Sequence, residues 1–159
     1  MSEHPYDHRH YLPGVTAQEW EAMVGYMAPV VLEAGTPLYA PDGRDRLLAD
    51  RALLFVRAGR LTVQPMEVDM TISIVPPAVV GRAAFFTGDL IFTRDCVVRE
   101  ELDALVLTHQ AFNRLAADHP RLALALAMDT AAELALTVGG TISALRQRGI
   151  VLPPGEGRP

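Results

Sequence analysis

The stretch VPPAVVGRAAFFTGDLIFTRDCVV, from Val75 to Val98, decides the fold of this chain. It reads as strand, turn, one short helical turn, loop and strand. Gly81 stands at the entry of the short helix, where first-turn N–H groups lack intrahelical acceptors and can face an anion. Arg94, opening the next strand, carries a planar fork of donors suited to the same anion. A turn glycine and a solvated arginine give the same letters, so the residues alone leave both readings open.

Outward from this stretch the chain is rich in strands. From Val30 to Leu107, short apolar runs alternate with Gly, Pro and Asp. Val30-Val31-Leu32 precedes a turn at Ala34-Gly35, and Pro37-Leu38-Tyr39 another at Pro41-Asp42-Gly43. Leu53 to Val56 runs toward Gly59 and Leu61 to Val63 leaves it, which predicts a hairpin turn at Ala58-Gly59. Met70, Ile72 and Ile74 alternate with Thr71 and Ser73 as on a half-buried strand. Phe92–Val98 and Leu102–Leu107 supply two more strands. Many short strands with regular turns indicate a sandwich or small barrel.

Helices flank this region. Thr16-Ala17-Gln18-Glu19 fits a capping box, and Trp20, Met23, Val24 and Met27 then mark one helical face, with Pro29 as the stop. After the strands, Thr108 can cap a short helix through Leu115, with Phe112 and Leu115 on one side. Pro120 suits the first turn of a longer helix, which the spacing predicts to run to Val138, break at Gly139-Gly140 and resume over Thr141–Gln147. Leu122, Leu124, Leu126, Met128, Leu134 and Leu136 cover more than half of its circumference. One face can pack on the strands; the other needs a partner. A homodimer through Leu122, Leu126, Met128 and Leu134 is the expectation, with a helix covered by its own tail as the alternative.

The ends read differently. Residues 1–14 are polar, with His4, Asp7, His8 and His10, and are expected to form a flexible arm; a metal site is the sharper alternative. Residues 15–147 form the domain and 148–159 a loose tail. Arg44–Arg51 is a charged insert whose arginines and aspartates nearly cancel.

The stretch quoted above and its surroundings resemble the cyclic-nucleotide-binding domain family, found in bacterial catabolite-activator-type regulators and in the regulatory subunit of cyclic-AMP-dependent kinase. There, a Pro-Gly turn is followed by Phe-Gly-Glu, a short apolar helix and Arg-Ser/Thr-Ala. The counterpart here is Pro76-Pro77, Val80-Gly81-Arg82, Ala83-Ala84-Phe85-Phe86 and Arg94-Asp95-Cys96. Domains appended to sulfate-transporter-type permeases look most similar, on Val79-Val80-Gly81, Ala84–Gly88 and Ile142–Leu145. The resemblance covers Val15 to Leu145 and implies a mainly β fold, an eight-stranded jelly-roll barrel with an N-terminal helix and C-terminal helices. It also implies that Gly81, Arg82, Ala83, Ala84, Arg94 and Asp95 contact a ligand.

The cassette is degenerate. Arg82 stands where the family has the glutamate that accepts from the ribose hydroxyl, and a guanidinium has no acceptor. Asp95 beside Arg94 competes for its charge, and Pro77 replaces the turn glycine. The function implied is regulatory: sensing a cyclic nucleotide or another anionic ligand, with Arg82 and Arg94 both supplying charge. The alternative is a ligand-free dimerisation or protein-binding module.

Composition bounds the other classes. The 159 residues are half hydrophobic and one-fifth charged, with net charge −5, which does not favour nucleic acid. Cys96 is the single cysteine, so no intrachain disulfide forms. The apolar run Leu122–Met128 is seven residues long, far below the ~20 of a bilayer span. A cytoplasmic protein without a membrane span follows as the expectation. The chain contains no lysine, hence no lysine-bearing phosphate loop, and its histidines lie outside the predicted strands. No enzymatic activity and no cofactor beyond a possible cyclic nucleotide are expected.

Overall fold

The computed structural model describes residues 6–39, 51–65, 69–87 and 93–149. His4, most of the charged insert, the loop after Thr87 and the tail beyond Gly149 lie outside them. Helix α1 (Ala17–Val24) is followed by β1 (Ala28–Leu32), β2 (Pro37–Tyr39), β3 (Ala52–Pro65), β4 (Ile72–Ile74), β5 (Ala78–Val80), α2 (Arg82–Thr87), β6 (Thr93–Thr108), α3 (His109–Asp118) and α4 (Pro120–Gln147). The strands pair antiparallel in the order β1-β6-β3-β4, with β2 joined to β6 and β5 to β3. The antiparallel jelly-roll sheet with helices at its flanks is as expected, but among the described residues it has six strands where a barrel of eight was expected.

Strands β3 and β6 each unite two of the strands read from the sequence. The hairpin expected at Ala58-Gly59 is absent: β3 passes straight through Gly59. There the pairing with β6 slips, with register shifts between Val56 and Ala58 and between Ala58 and Arg60. Gly59 has φ +90°, and a Cβ on it would lie 2.1 Å from the carbonyl oxygen of Glu101. A glycine inside a strand pattern marks a bulge and a close backbone approach as readily as a turn. The bend lets one strand serve two parts of the fold.

Both faces of this sheet are covered, which explains the unbroken apolar run from Ala52 to Val56. Leu53, Phe55, Leu105 and Leu107 point to a cluster with Tyr11, Trp20, Met23, Phe85, Leu115, Leu122 and Leu126. Leu54, Val56, Ala104 and Val106 point to a second cluster with Leu38, Leu61, Val80, Cys96 and Val98. Beyond the bend the pattern fails: Met70, Ile72 and Val75 are exposed.

The flexible arm expected over residues 1–14 is packed from its described part onward. His8–His10 form a 3-10 turn capped by Asp7, and Tyr11 and Leu12 are each 1% exposed. Tyr11 stacks on Trp20, and its hydroxyl donates to the Val56 carbonyl at 2.8 Å. A buried phenol needs such a partner; the polar histidines around it masked this anchor. Among the described residues no cluster of His, Cys, Asp and Glu could hold a metal ion, and a His8 ring nitrogen lies 3.1 Å from the Val15 carbonyl oxygen.

The capping box forms: Thr16 Oγ1 accepts from Glu19 N–H, and the Glu19 carboxylate accepts from Thr16 N–H at 2.8 Å. The helix stops at Gly25, ahead of Pro29, which sits in β1 instead. Thr108 caps α3 as expected. Helix α4 does not break at Gly139-Gly140 but runs through to Gln147. Two glycines weaken a helix by about 1 kcal/mol each, a cost that a long helix absorbs.

Candidate functional site

The site is built where β5, α2 and α4 meet. Strand β5 pairs with the apolar half of β3, with Val80 opposite Leu54. Gly81 then takes φ +92°, the left-handed region that glycine enters freely, and turns the chain into α2. Phe85 N–H donates to the Gly81 carbonyl at 2.9 Å, starting the helix. Phe85 is fully buried and packs edge-on against Phe86 and Phe112. At the other end Arg51 Nε donates to the Phe85 carbonyl at 3.0 Å, a cation placed on free helix-end carbonyls.

A cavity of about 260 Å³ opens between this turn, the sheet and α4. Gly81, Arg82, Ala83 and Ala84 form one wall; Val63, Ile74 and Cys96 form the sheet side; Glu133 and Leu134 of α4 form the third. The wall is thus largely apolar, with charge at the α4 side. The structure brings four of the six expected ligand residues to this cavity. Asp95 is half-buried on β6, opposite Gln64, and does not line it. Arg94 is placed in β6 by its backbone; its side chain lies outside the described residues.

Arg82 departs from expectation. Its charge is not presented to the cavity alone: the guanidinium donates to the Asp129 carboxylate of α4 and to the Tyr11 carbonyl at 3.1 Å. Its Nε lies 2.8 Å from Glu133 Oε2, close enough for an ion pair but out of line for a hydrogen bond. Arg82 is therefore a tie between the cassette helix, the N-terminal turn and α4. A glutamate here, with acceptors only, could make neither bond. Asp129 and Glu133, four apart on one helix face, are the carboxylates of the segment Leu122–Leu145. That spacing was the available signal, and sequence reasoning passed over it.

Arg82 side-chain exposure is 12% and that of Asp129 22%. Removing one partner of a largely buried pair costs ~3–5 kcal/mol, and partial solvent contact reduces it. Arg82→Ala is expected to destabilise the fold by about 2 kcal/mol, with a fall in Tm of roughly 4–8 °C. Thermal melts followed by circular dichroism check this; an unchanged Tm would show that the tie contributes nothing.

Cys96 lines the cavity from β6 and is fully buried. Burial pushes its thiol up to about 12. A buried acid whose pKa is raised stays protonated well above its ordinary range, so the thiolate that reacts is scarce at neutral pH. The native protein is expected to react with a disulfide reagent at pH 8 at least about a hundredfold more slowly than the urea-unfolded chain. Equal rates would mean that the cavity admits reagent to the sulfur.

The four expected interface residues divide. Leu122 and Leu126 are 4% and 0% exposed and belong to the domain core, so they are not available to a partner. Leu134, 42% exposed, borders the cavity. Met128, 64% exposed, faces outward with Leu124 and Val138. Within α4, Pro120–Thr141 is long and apolar enough to cross a bilayer by length and composition, with mean hydropathy 1.5. Counting one short run had hidden this. Of the apolar residues at its start, Leu122, Ala123 and Leu126 are held in the core.

An antiparallel jelly-roll sheet, a short helix after a glycine turn and a long helix packed across it together define the fold of the cyclic-nucleotide-binding domains. Solved structures bear this out. A cyclic nucleotide-binding domain from Methylobacillus flagellatus is 18% identical, with TM-score 0.63 over 89% of this chain and 77% of that one. The N-terminal domain of a transcriptional regulator from Streptomyces coelicolor is 15% identical, with TM-score 0.61 over 92% and 94%. Thermus thermophilus catabolite activator protein is 18% identical, with TM-score 0.61 over 86% of this chain and 61% of that one. No protein-family model and no curated protein matches the sequence.

Proposed function

We propose that this chain is a regulatory domain that senses a cyclic nucleotide or other small anionic ligand in the cavity and passes the state of that cavity to α4. The observation that carries this reading is the placement of one cavity between the Gly81–Ala84 turn and Glu133–Leu134 of α4. A ligand there touches both walls, and a contact that differs between two positions of α4 shifts their balance. Arg82 links the same two elements through Asp129 and Glu133. Calorimetric titration with cyclic AMP, cyclic GMP and cyclic dinucleotides tests the reading. Micromolar binding that is lost in Arg94→Ala supports it; no heat from any of them rejects it. The surplus of carboxylate around Arg82 favours a second reading, a module that acts through α4 without a ligand.

In both readings α4 pairs with a second copy of this chain. Leu124, Met128, Ala131, Ala135 and Val138 follow one another at spacings of four and three on the exposed face, the repeat of a coiled-coil seam. Asp129 and Glu133 lie off this seam, so it carries no charge. The full chain is expected to run as a dimer in light scattering. Met128→Glu is expected to give monomers that still melt cooperatively, with a Tm that no longer rises with protein concentration, since the side chain is 64% exposed within one chain. A monomeric wild type that floats with phosphatidylcholine–phosphatidylglycerol vesicles would assign the face to lipid instead.

A further inference from the structure

A second cavity, of about 490 Å³, lies where the connection from α1 to β1 faces α3. It shares no lining residue with the first. Met27 and the buried Val106 and Ala111 form its apolar side, and Tyr26, Arg114 and Asp118 its polar side. We infer that this cavity binds a free α-amino acid with an aliphatic side chain, the carboxylate on Arg114 and the ammonium on Asp118. Nothing in it depends on a ligand in the first cavity.

Arg114 and Asp118 stand four apart on α3 and share one face of it. Opposite charges at that spacing ordinarily pair with each other. Here they do not. Asp118 Oδ2 accepts from the Tyr26 hydroxyl at 2.7 Å, and Arg114 has no hydrogen bond or ion pair among the described residues. Two opposite charges therefore line one cavity without neutralising each other. Asp118 is also the last residue of α3, whose final turn carries no basic side chain. The C-terminal end of a helix carries partial negative charge and favours a cation. An ammonium group beside Asp118 would answer both the carboxylate and the helix end. The bond from Tyr26 uses one of about four lone-pair sites on that carboxylate, so acceptors remain for it.

The same pair of charges sets the ligand class. A simple anion drawn to Arg114 would be repelled by Asp118, and a simple amine drawn to Asp118 would be repelled by Arg114. A molecule that carries both signs meets attraction at each end. In an α-amino acid one carbon separates the ammonium from the carboxylate, so it bridges two side chains that do not reach each other. The guanidinium fork matches a carboxylate in shape as well as charge. Met27, Val106 and Ala111 then cover the aliphatic side chain.

The test titrates the full, nitrogen-labelled chain with L-leucine and follows backbone amides by NMR. Two partial ligands run beside it: isocaproate, which lacks the ammonium, and isoamylamine, which lacks the carboxylate. Saturable shifts at Gly25, Ala28 and Ala111 are expected with leucine, with a Kd on the order of 1 mM. Each partial ligand should bind about tenfold more weakly or worse, because one charge-assisted contact is lost. Arg114→Gln and Asp118→Asn should each weaken leucine binding by a similar factor. Both side chains are exposed, and asparagine still offers Tyr26 an acceptor, so Tm should stay near wild type. No saturable shift with leucine at about 20 mM, far above that Kd, would overturn the inference. So would equal binding of isocaproate and leucine, since Asp118 would then play no part. Shifts at Gly81 and Ala84 instead would put leucine in the first cavity and overturn it too.

Discussion

Gly59→Ala is expected to lower Tm by roughly 10 °C or more and to reduce the yield of folded protein. The added Cβ would sit 2.1 Å from the Glu101 carbonyl oxygen and 2.8 Å from its carbon. Those are backbone atoms of β6, so no side chain can swing aside. Relief requires moving two central strands apart, and their pairing extends from Ala52 to Pro65. The φ of +90° adds a second cost for any residue with a Cβ. Overpacking costs ~1–3 kcal/mol and a strained φ a similar amount, so the sum is about 2–6 kcal/mol. That is a large share of a total stability of ~5–15 kcal/mol. Gly35→Ala is a useful control: its φ is +91°, but open space surrounds the added Cβ. The control should lose only the backbone part. If the two variants melt together, close approach of β6 is not what Gly59 provides.

Leu126→Glu is expected to unfold the domain and not simply to separate a dimer. The circumference of α4 suggested an interface that included Leu126. The side chain is instead fully buried, among Phe55, Phe85, Leu115 and Leu122. A Leu-to-Ala change at such a site costs ~2–5 kcal/mol. Glutamate adds the cost of taking a carboxyl out of water with no base beside it in that cluster. The total matches or exceeds the stability of a typical domain. Urea titration should find no cooperative transition, in contrast to Met128→Glu, two residues along and 64% exposed at wild type. A folded monomer from Leu126→Glu would mean that this face of α4 is not part of the core.

The contrast between those neighbours shows what a pattern can and cannot tell. Apolar residues around α4 said that two faces needed cover. They did not say which face the domain covers itself, because that depends on where α2 and the N-terminal turn lie. The same limit applied to Arg82. Its position after Gly81 was legible, and so was its conflict with the glutamate of the resembling family. Its partners, Asp129 and Tyr11, are 47 and 71 residues away. Only the folded chain brings them within reach.

Local chemistry was read well where its range is short. The Thr16–Glu19 box, the Thr108 cap and the Gly81 turn into α2 each close within four residues, so the local order of residues determined them. A strand-rich sandwich or small barrel was also legible from the turn residues and apolar runs, and the family resemblance narrowed it to a jelly roll. Tertiary structure decided the rest. It made Gly59 a bulge instead of a hairpin, because β6 presses against β3 there. It turned a polar, histidine-rich N-terminus into an anchor, because Tyr11 found Trp20 and the Val56 carbonyl. It gave the cavity a wall from α4, because hydrogen-bonding and packing partners far apart in the chain meet only after the sheet has folded.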